Sequence, residues 1–100
     1  MTDLDAVQAR MAAVYGARDR DRGVAATVAW LAEELGELAQ AARKGTRAEQ
    51  LHELGDVLAW LASLANQLDC SLTEAFARYA HGCPRCHATP CACPPPDVRI

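Results

Sequence analysis

Two short clusters of acidic side chains are the part of this sequence whose residue types and spacing could do chemistry. The five carboxylates are Glu33, Glu34, Glu37, Glu53 and Asp56. A turn signal, Gly45 followed by Thr46, lies midway between the clusters, so helices on either side would place both clusters about 12 Å from the turn. Facing carboxylates repel each other unless a cation lies between them. Oxygen ligands suit Mg²⁺, and the pattern therefore predicts a hard-metal site on a pair of antiparallel helices.

A solvated helix face is the alternative explanation for acidic residues one turn apart. Two features favour the metal site: the clusters are symmetric about the turn, and each adjoins an apolar stripe of its own helix. The stripes consist of Val28, Leu31, Leu35, Leu38 and Ala42 before the turn, and of Leu51, Leu54, Leu58, Leu61 and Ala65 after it. An acid at the edge of a core is costly unless it is paired or binds a metal. We expect Glu34, which borders its stripe, to be the most buried of the acids.

Helices must position these groups, and apolar periodicity with capping signals predicts where they begin and end. The predicted helices are about 2–18, 24–44, 47–68 and a short one from 71 to about 79 or 81. Thr46 with Glu49, and Ser71 with Glu74, have the spacing of capping boxes. Gly45 fits the position that follows a last helical residue. The sequence thus predicts an all-α fold, an antiparallel helical hairpin core with flanking helices.

A charged segment, residues 17–23, separates the first two predicted helices. Its alternating arginines and aspartates favour a solvated loop. The alternative is that one or more of the arginines contact phosphate, since guanidinium groups match phosphate oxygens.

Cysteines crowd into the end of the chain. The four close ones are Cys83, Cys86, Cys91 and Cys93. A Cys-x₂-Cys knuckle with a second close pair can supply four thiolates to a tetrahedral Zn²⁺, and four protein ligands would make the zinc structural rather than catalytic. Free thiols and a redox pair are the alternatives, and His81 or His87 could replace one ligand. The remaining cysteine, Cys70, fits a buried or half-buried apolar position.

Length and composition limit the possible classes. One hundred residues suit one domain, for which we predict a helical part at 1–81, a cysteine-rich zinc tail at 82–93 and a flexible end at 94–100. The net charge of −3 argues against nucleic acid as a partner. No apolar run of membrane-spanning length and no secretory leader is evident, which favours a cytoplasmic location without a membrane partner. The small core favours assembly into an oligomer.

The acidic motifs resemble those of a known family. EELGE at 33–37 and ELGD at 53–56 resemble the two-part motif of the MazG-like all-α nucleoside triphosphate pyrophosphohydrolases. The longer segments TVAWLAEELGELAQAARKG and ELGDVLAWLASLANQLDCSLTEAF are also similar, and the likeness covers roughly residues 15–93. The tail resembles the CPxC…PCxC ending of some members, although His87 stands where those proteins usually have glycine.

The resemblance implies a fold, an activity and site residues. It implies a four-helix arrangement completed by a homodimer or homotetramer, and Mg²⁺-dependent hydrolysis of (deoxy)nucleoside triphosphates to monophosphate and pyrophosphate. Mn²⁺ is the alternative cation. The residues that match the metal ligands are Glu34, Glu37, Glu53 and Asp56. Glu33 matches an additional acid that could position the attacking water. The candidate nucleotide contacts are Trp60, Lys44 and Trp30, with Asn66 and Arg78 as weaker candidates.

Several alternatives remain open from the sequence. A phosphoribosyl-ATP pyrophosphatase-like enzyme would cleave the same type of bond on a similar fold. A non-catalytic helical adaptor, whose zinc tail binds a partner, would release no pyrophosphate from any nucleotide. For Trp30, a place in the core is an alternative to substrate contact.

Overall fold

Four helices make up most of the described part of the chain. A computed structural model describes residues 2–95. Its elements are α1 (Leu4–Arg22), α2 (Val24–Lys44), α3 (Arg47–Gln67) and α4 (Leu72–Phe76), the last followed by a 3₁₀ turn (Ala77–Tyr79). Within residues 2–95 there is no strand, which confirms the all-α fold class. None of the described helices combines the length and the apolar character needed to cross a membrane.

A sharp turn joins α2 to α3 and makes them an antiparallel hairpin. Thr46 and Glu49 form the predicted capping box: the Thr46 hydroxyl accepts from Glu49 N at 3.2 Å, and Thr46 N donates to the Glu49 carboxylate at 3.0 Å. Gly45 follows the last residue of α2, but its φ of −89° is accessible to any residue. A Cβ here would lie 2.8 Å from the Ala41 Cα, so glycine is required for close approach.

The first helix is longer than the sequence predicts. We expected α1 to end near Arg18 and residues 17–23 to form a solvated loop, which is wrong: the helix continues to Arg22. The helical spacing of opposite charges supports the extra turn, since Arg22 Nη1 donates to Asp19 Oδ1 at 2.7 Å, three residues earlier. Gly23 ends the helix with a left-handed φ of 83° while its N–H donates to Asp19 O.

Amide side chains fasten α1 against the far end of α3. Gln8 Nε2 donates to Asn66 Oδ1 and to Cys70 O, and Gln8 Oε1 accepts from Leu72 N at 2.7 Å. Gln67 Nε2 donates to the Asp19 carbonyl at 2.6 Å. These bonds satisfy polar groups of the α3–α4 turn, and they fix the face of α1 that lies beside α3.

The α-helix α4 is shorter than predicted, and Cys70 before it is more exposed than predicted. Ser71 caps α4 by accepting from Glu74 N at 3.1 Å, but regular α-helix ends at Phe76 and only the 3₁₀ turn reaches Tyr79. Cys70, predicted to be buried or half-buried, is exposed in the turn after α3. Of the predicted flexible end, residues 96–100 lie outside the described residues.

The interior of the chain contains few large apolar side chains. In the described part of the chain the buried apolar residues are Ala41, Ala62 and Ala65. The stripes that we expected to face a core instead leave Val28, Leu35 and Leu51 about half exposed, at 47%, 50% and 57%. The reason is that α2 turns a different face, with Thr27 and Ala41 buried, toward its neighbours.

Candidate functional site

Carboxylates from both arms of the hairpin meet at its inner face. Glu34 and Glu37 lie one turn apart on α2, and the turn brings Glu53 of α3 to them. One oxygen from each of these three residues lies within 4.8 Å of the others. Oxygen ligands bind Mg²⁺ at about 2.0–2.1 Å, so small side-chain movements would let one cation contact all three.

A second group of possible ligands shares Glu53 with the first. Ligand atoms of His52, Glu53 and Asp56 also lie within 4.8 Å of one another. His52 Nε2 contacts Asp56 Oδ2 at 3.2 Å from an exposed position. The structure therefore brings Glu34, Glu37 and Glu53 together, and places Asp56 next to Glu53.

Burial and mutual repulsion make the negative charge of this carboxylate cluster energetically costly. Glu34, Glu53 and Asp56 are all half-buried, whereas Glu33 and Glu37 are exposed, so Glu34 shares its burial with the two acids of α3. Desolvation, followed by the charges of Glu37, Asp56 and Glu53, raises the pKa of Glu34. Buried oxygens of Glu34 and Glu53 have no hydrogen-bond partner within residues 2–95. Unpartnered oxygens in an all-oxygen donor set fit a hard cation.

The raised pKa of Glu34 predicts how the stability of the protein without Mg²⁺ depends on pH. A raised pKa means that the folded state favours the protonated acid. The stabilisation is fully present below the unfolded value near 4.5 and is lost as pH rises through the folded pKa. Glu34→Gln should therefore raise the melting temperature at pH 7 but not at pH 4. Thermal melting by circular dichroism without Mg²⁺ measures this.

The exposed neighbour supplies the control for that experiment. Glu33→Gln should shift the melting temperature much less than Glu34→Gln at pH 7. A Glu34→Gln effect of equal size at pH 4 and pH 7 would contradict the electrostatic cause.

Aromatic and cationic side chains form a cavity beside the carboxylates. Trp30 and Trp60 stack with ring centroids 6.0 Å apart, and the Arg22 guanidinium lies 4.7 Å from the Trp60 ring centroid. The cavity, of about 310 Å³, lies between α1 and α3, and Asp56 and Trp60 are among its lining residues. Trp30 is 47% exposed, against the alternative that it belongs to the core.

One face of α1 lines this cavity, with Met11, Tyr15, Arg18, Asp19 and Arg22. The sequence pointed to the arginines alone, as possible phosphate contacts, and gave no sign of Met11, Tyr15 and Asp19. A helix that ends at Arg18 does not reveal the full length of this face. Phosphate contact by the arginines stays a prediction, whereas the predicted loop is wrong.

Other candidate residues lie apart from the cavity. Lys44 shares a second depression with Glu37 and Glu53. Asn66 donates to Gln8 O at 3.0 Å and so has a structural partner. Arg78 lies 5.4 Å from the Tyr79 ring centroid. Glu33 is exposed on α2 and is in neither close ligand group of the described residues, so its role stays a prediction.

The four tail cysteines converge as a separate group. Their sulfur atoms all lie within 4.8 Å of one another, with Cys83–Cys93 at 3.7 Å and Cys86–Cys91 at 4.0 Å. A sulfur tetrahedron around Zn²⁺ with bonds of about 2.3 Å has edges near 3.8 Å, so the spacing matches a metal site. Neither His81 nor His87 belongs to this group.

The knuckle keeps the backbone geometry that a glycine would provide. His87, at the position where glycine is usual, has a left-handed φ of 62°. Gly82 precedes the first cysteine with a φ of 116°, and a Cβ there would lie 2.7 Å from Thr89 Oγ1. The replacement of glycine by His87 therefore does not prevent the knuckle.

Hydrogen bonding gives the thiols of Cys86 and Cys93 different pKa values. Backbone N–H groups of Ala88 and Ala92 lower the pKa of Cys86 to about 6. Neighbouring thiols, Cys91 first, raise the pKa of Cys93 to about 12. At neutral pH the metal-free cluster would contain thiolate and thiol together, and a bound cation would favour loss of the remaining protons.

The fold and the clustered side chains together define a class. An all-α hairpin that carries clustered carboxylates on both arms is a helical protein whose acidic side chains could hold a cation between its helices. Within that class, the chain belongs to the MazG nucleotide pyrophosphohydrolase family, whose domain model matches residues 22–88. No curated protein matches the chain. The family match confirms the resemblance in the acidic motifs and begins at Arg22, so most of α1 lies outside it.

Proposed function

We propose that the protein hydrolyses nucleoside triphosphates to monophosphate and pyrophosphate with Mg²⁺ as the cofactor. Mn²⁺ is the alternative cation. The observation that supports this most is the convergence of Glu34, Glu37 and Glu53, with buried unpartnered oxygens, beside a cavity lined by Trp60. Water adds to phosphorus and the anhydride bond between the α and β phosphates breaks, so that pyrophosphate leaves.

In this proposal the acidic residues have two roles, binding of the cation and positioning of the attacking water. The ligands to the cation are Glu34, Glu37, Glu53 and Asp56. When bound, Mg²⁺ neutralises the triphosphate and the charge that develops on the leaving group. Glu33, exposed on the same helix, accepts a proton from the attacking water and orients it. Lys44, beside Glu37 and Glu53, attracts phosphate oxygens.

The nucleoside would occupy the cavity between α1 and α3. Trp60 lines the cavity and stacks with Trp30, so its indole would form an apolar wall of the nucleoside site. Arg22, whose guanidinium lies over the same ring and donates to Asp19, holds the aromatic surface in place. Asp56 lines the same cavity, so phosphates near the carboxylates would be continuous with a nucleoside against Trp60.

A panel of canonical, deoxy- and damaged nucleoside triphosphates tests this function. With Mg²⁺ we expect pyrophosphate and monophosphate as the direct products, and no turnover without a divalent cation. Orthophosphate as the direct product would overturn the proposal. Including phosphoribosyl-ATP in the panel distinguishes this activity from that of a phosphoribosyl-ATP pyrophosphatase-like enzyme. If no substrate releases pyrophosphate, the result would favour the non-catalytic helical adaptor.

We propose that the tail binds one structural Zn²⁺ through Cys83, Cys86, Cys91 and Cys93. The two sulfur distances near a tetrahedral edge support this, and Ala92 N donates to Cys86 Sγ at 3.2 Å, as expected for a sulfur that carries negative charge. Thiols stay reduced in the cytoplasm, where we place the protein.

Zinc content is the first test of the tail. Native mass spectrometry of protein purified without chelator should show one zinc per chain, and Cys86→Ser should lose it because three thiolates leave the tetrahedron incomplete. Cys70→Ser is the matched control, since Cys70 is an exposed cysteine outside the cluster, and it should retain the metal. Zinc-free wild-type protein would favour free thiols.

We also propose that a second copy of the chain covers the exposed apolar stripes. Val28 and Leu35 of α2 and Leu51 and Leu54 of α3 are about half exposed. Within residues 2–95 the buried apolar residues are three alanines, which make a small interior. The radius of gyration is 16.2 Å, against about 13 Å for a compact domain of this length. A homodimer or homotetramer would bury these side chains.

A further inference from the structure

We propose that the cavity between α1 and α3 selects the nucleobase, and that Asp19 makes it prefer bases with an amine next to a ring nitrogen, as in cytosine and adenine. This inference rests on the proposed function, because it assumes that the site binds nucleotides. It adds a specificity-determining residue from α1, outside the part of the chain that matches the family model.

Asp19 is a buried acid, and one of its carboxylate oxygens has no hydrogen-bond partner within residues 2–95. The residue is 3% exposed and lines the cavity. Its Oδ1 accepts from Arg22 at 2.7 Å, whereas its Oδ2 is buried and has no hydrogen-bond partner within residues 2–95. A buried carboxylate oxygen without a donor is costly, so a donor that arrives with the ligand would be bound strongly.

The negative charge of Asp19 makes it a partner for the base rather than for phosphate. Negative phosphates would be repelled by Asp19, whereas in the proposed function a cation held near Asp56 would attract them. Asp19 and Asp56 are both acidic and line the same cavity, so the cation would distinguish the phosphate end from the base end. Its volume of about 310 Å³ is at the low end of ligand pockets, which are about 300–1,000 Å³.

Two side chains of opposite charge give the pocket a donor–acceptor pattern. Asp19 can only accept hydrogen bonds when ionised, and Arg18, which lines the same cavity, can only donate. Cytosine and adenine each present an amine donor next to an unprotonated ring nitrogen, which is an acceptor. Uracil and hypoxanthine present a carbonyl and a ring N–H at those positions, so their carbonyl would face a carboxylate.

Matched substrates that differ only at this edge test the inference. We expect kcat/KM for pyrophosphate release to be about 10- to 100-fold higher for CTP than for UTP, and for ATP than for ITP, in the wild-type protein. Asp19→Asn should abolish or reverse both preferences, because Arg22 holds the amide oxygen and leaves the amide NH2 group, which donates to a carbonyl, to face the base. Asp21→Asn, an exposed acid on the same helix, should leave both ratios unchanged.

Binding provides a readout that does not need turnover. Quenching of tryptophan fluorescence by the α,β-methylene analogues of CTP and UTP should show the same preference, and circular dichroism checks that Asp19→Asn is folded. If that variant does not fold, the two wild-type ratios decide: ratios near one in kinetics and binding overturn the inference.

The outcomes separate this inference from the proposed function. Pyrophosphate release from all four substrates with ratios near one overturns the base selection and leaves the activity in place. Selective binding without release of pyrophosphate supports the selection and overturns the activity. Asp19→Asn that slows all four substrates equally, with unchanged ratios, shows that Asp19 is structural and overturns the inference.

Discussion

Replacing Glu53 by glutamine is expected to lower kcat/KM for pyrophosphate release by at least about 100-fold. Glu53 belongs to both close ligand groups, that with Glu34 and Glu37 and that with His52 and Asp56, so its loss affects the whole cluster. The amide keeps the size of the side chain but removes the charge that a cation requires. Steady-state pyrophosphate release and Mg²⁺ titration measure the loss of turnover and of cation affinity.

The fold should survive this change, which makes the experiment specific. One buried oxygen of Glu53 has no hydrogen-bond partner among the described residues, so the substitution breaks no hydrogen bond at that atom. Asp21→Asn is the control for removal of one carboxylate elsewhere. An unchanged rate for Glu53→Gln, with helical content intact, would show that the metal has been placed wrongly, and Asp56→Asn would then need the same scrutiny.

Much of the hairpin could be predicted because its signals are local. The bounds of α2 agree with the prediction at both ends, and the capping box of Thr46 with Glu49 is formed as the residue types indicate. The convergence of Glu34 with Glu53 follows from the equal spacing of the clusters about the turn. Short-range rules determine these features, so a single sequence contains the necessary information.

The features that could not be predicted depend on contacts between distant elements. Alternating charges at residues 17–22 are compatible with either a loop or a helix, and the helix is favoured once Gln67 of α3 binds the Asp19 carbonyl. The burial of Asp19 follows from that packing and gives no periodic signal. Likewise, an apolar stripe predicts that a helix face packs against another apolar surface. It does not predict whether that surface belongs to the same chain or to a second copy.

The proposed covering of those stripes by a second copy of the chain leads to the second large effect. On that proposal, Val28→Glu is expected to convert the oligomer to monomer and to lower the melting temperature markedly. Each large apolar side chain buried in an interface contributes about 1.5–3 kcal/mol, and a charge placed there adds a desolvation cost. Analytical ultracentrifugation across a range of protein concentrations measures the assembly state, and thermal melting measures the stability.

A neighbouring position isolates the effect of the apolar face. Ala29→Glu places the same charge about 100° further round α2, at an exposed position outside the stripe, and should leave the assembly intact. Leu61→Glu tests the corresponding stripe on α3, where the side chain is 39% exposed. If the wild-type protein sediments as a stable monomer, the stripes are not covered by a second copy. Monomeric variants should also lose activity, because the stripe of α2 runs beside Glu34 and Trp30. The position of the carboxylates depends on how firmly α2 and α3 are held together.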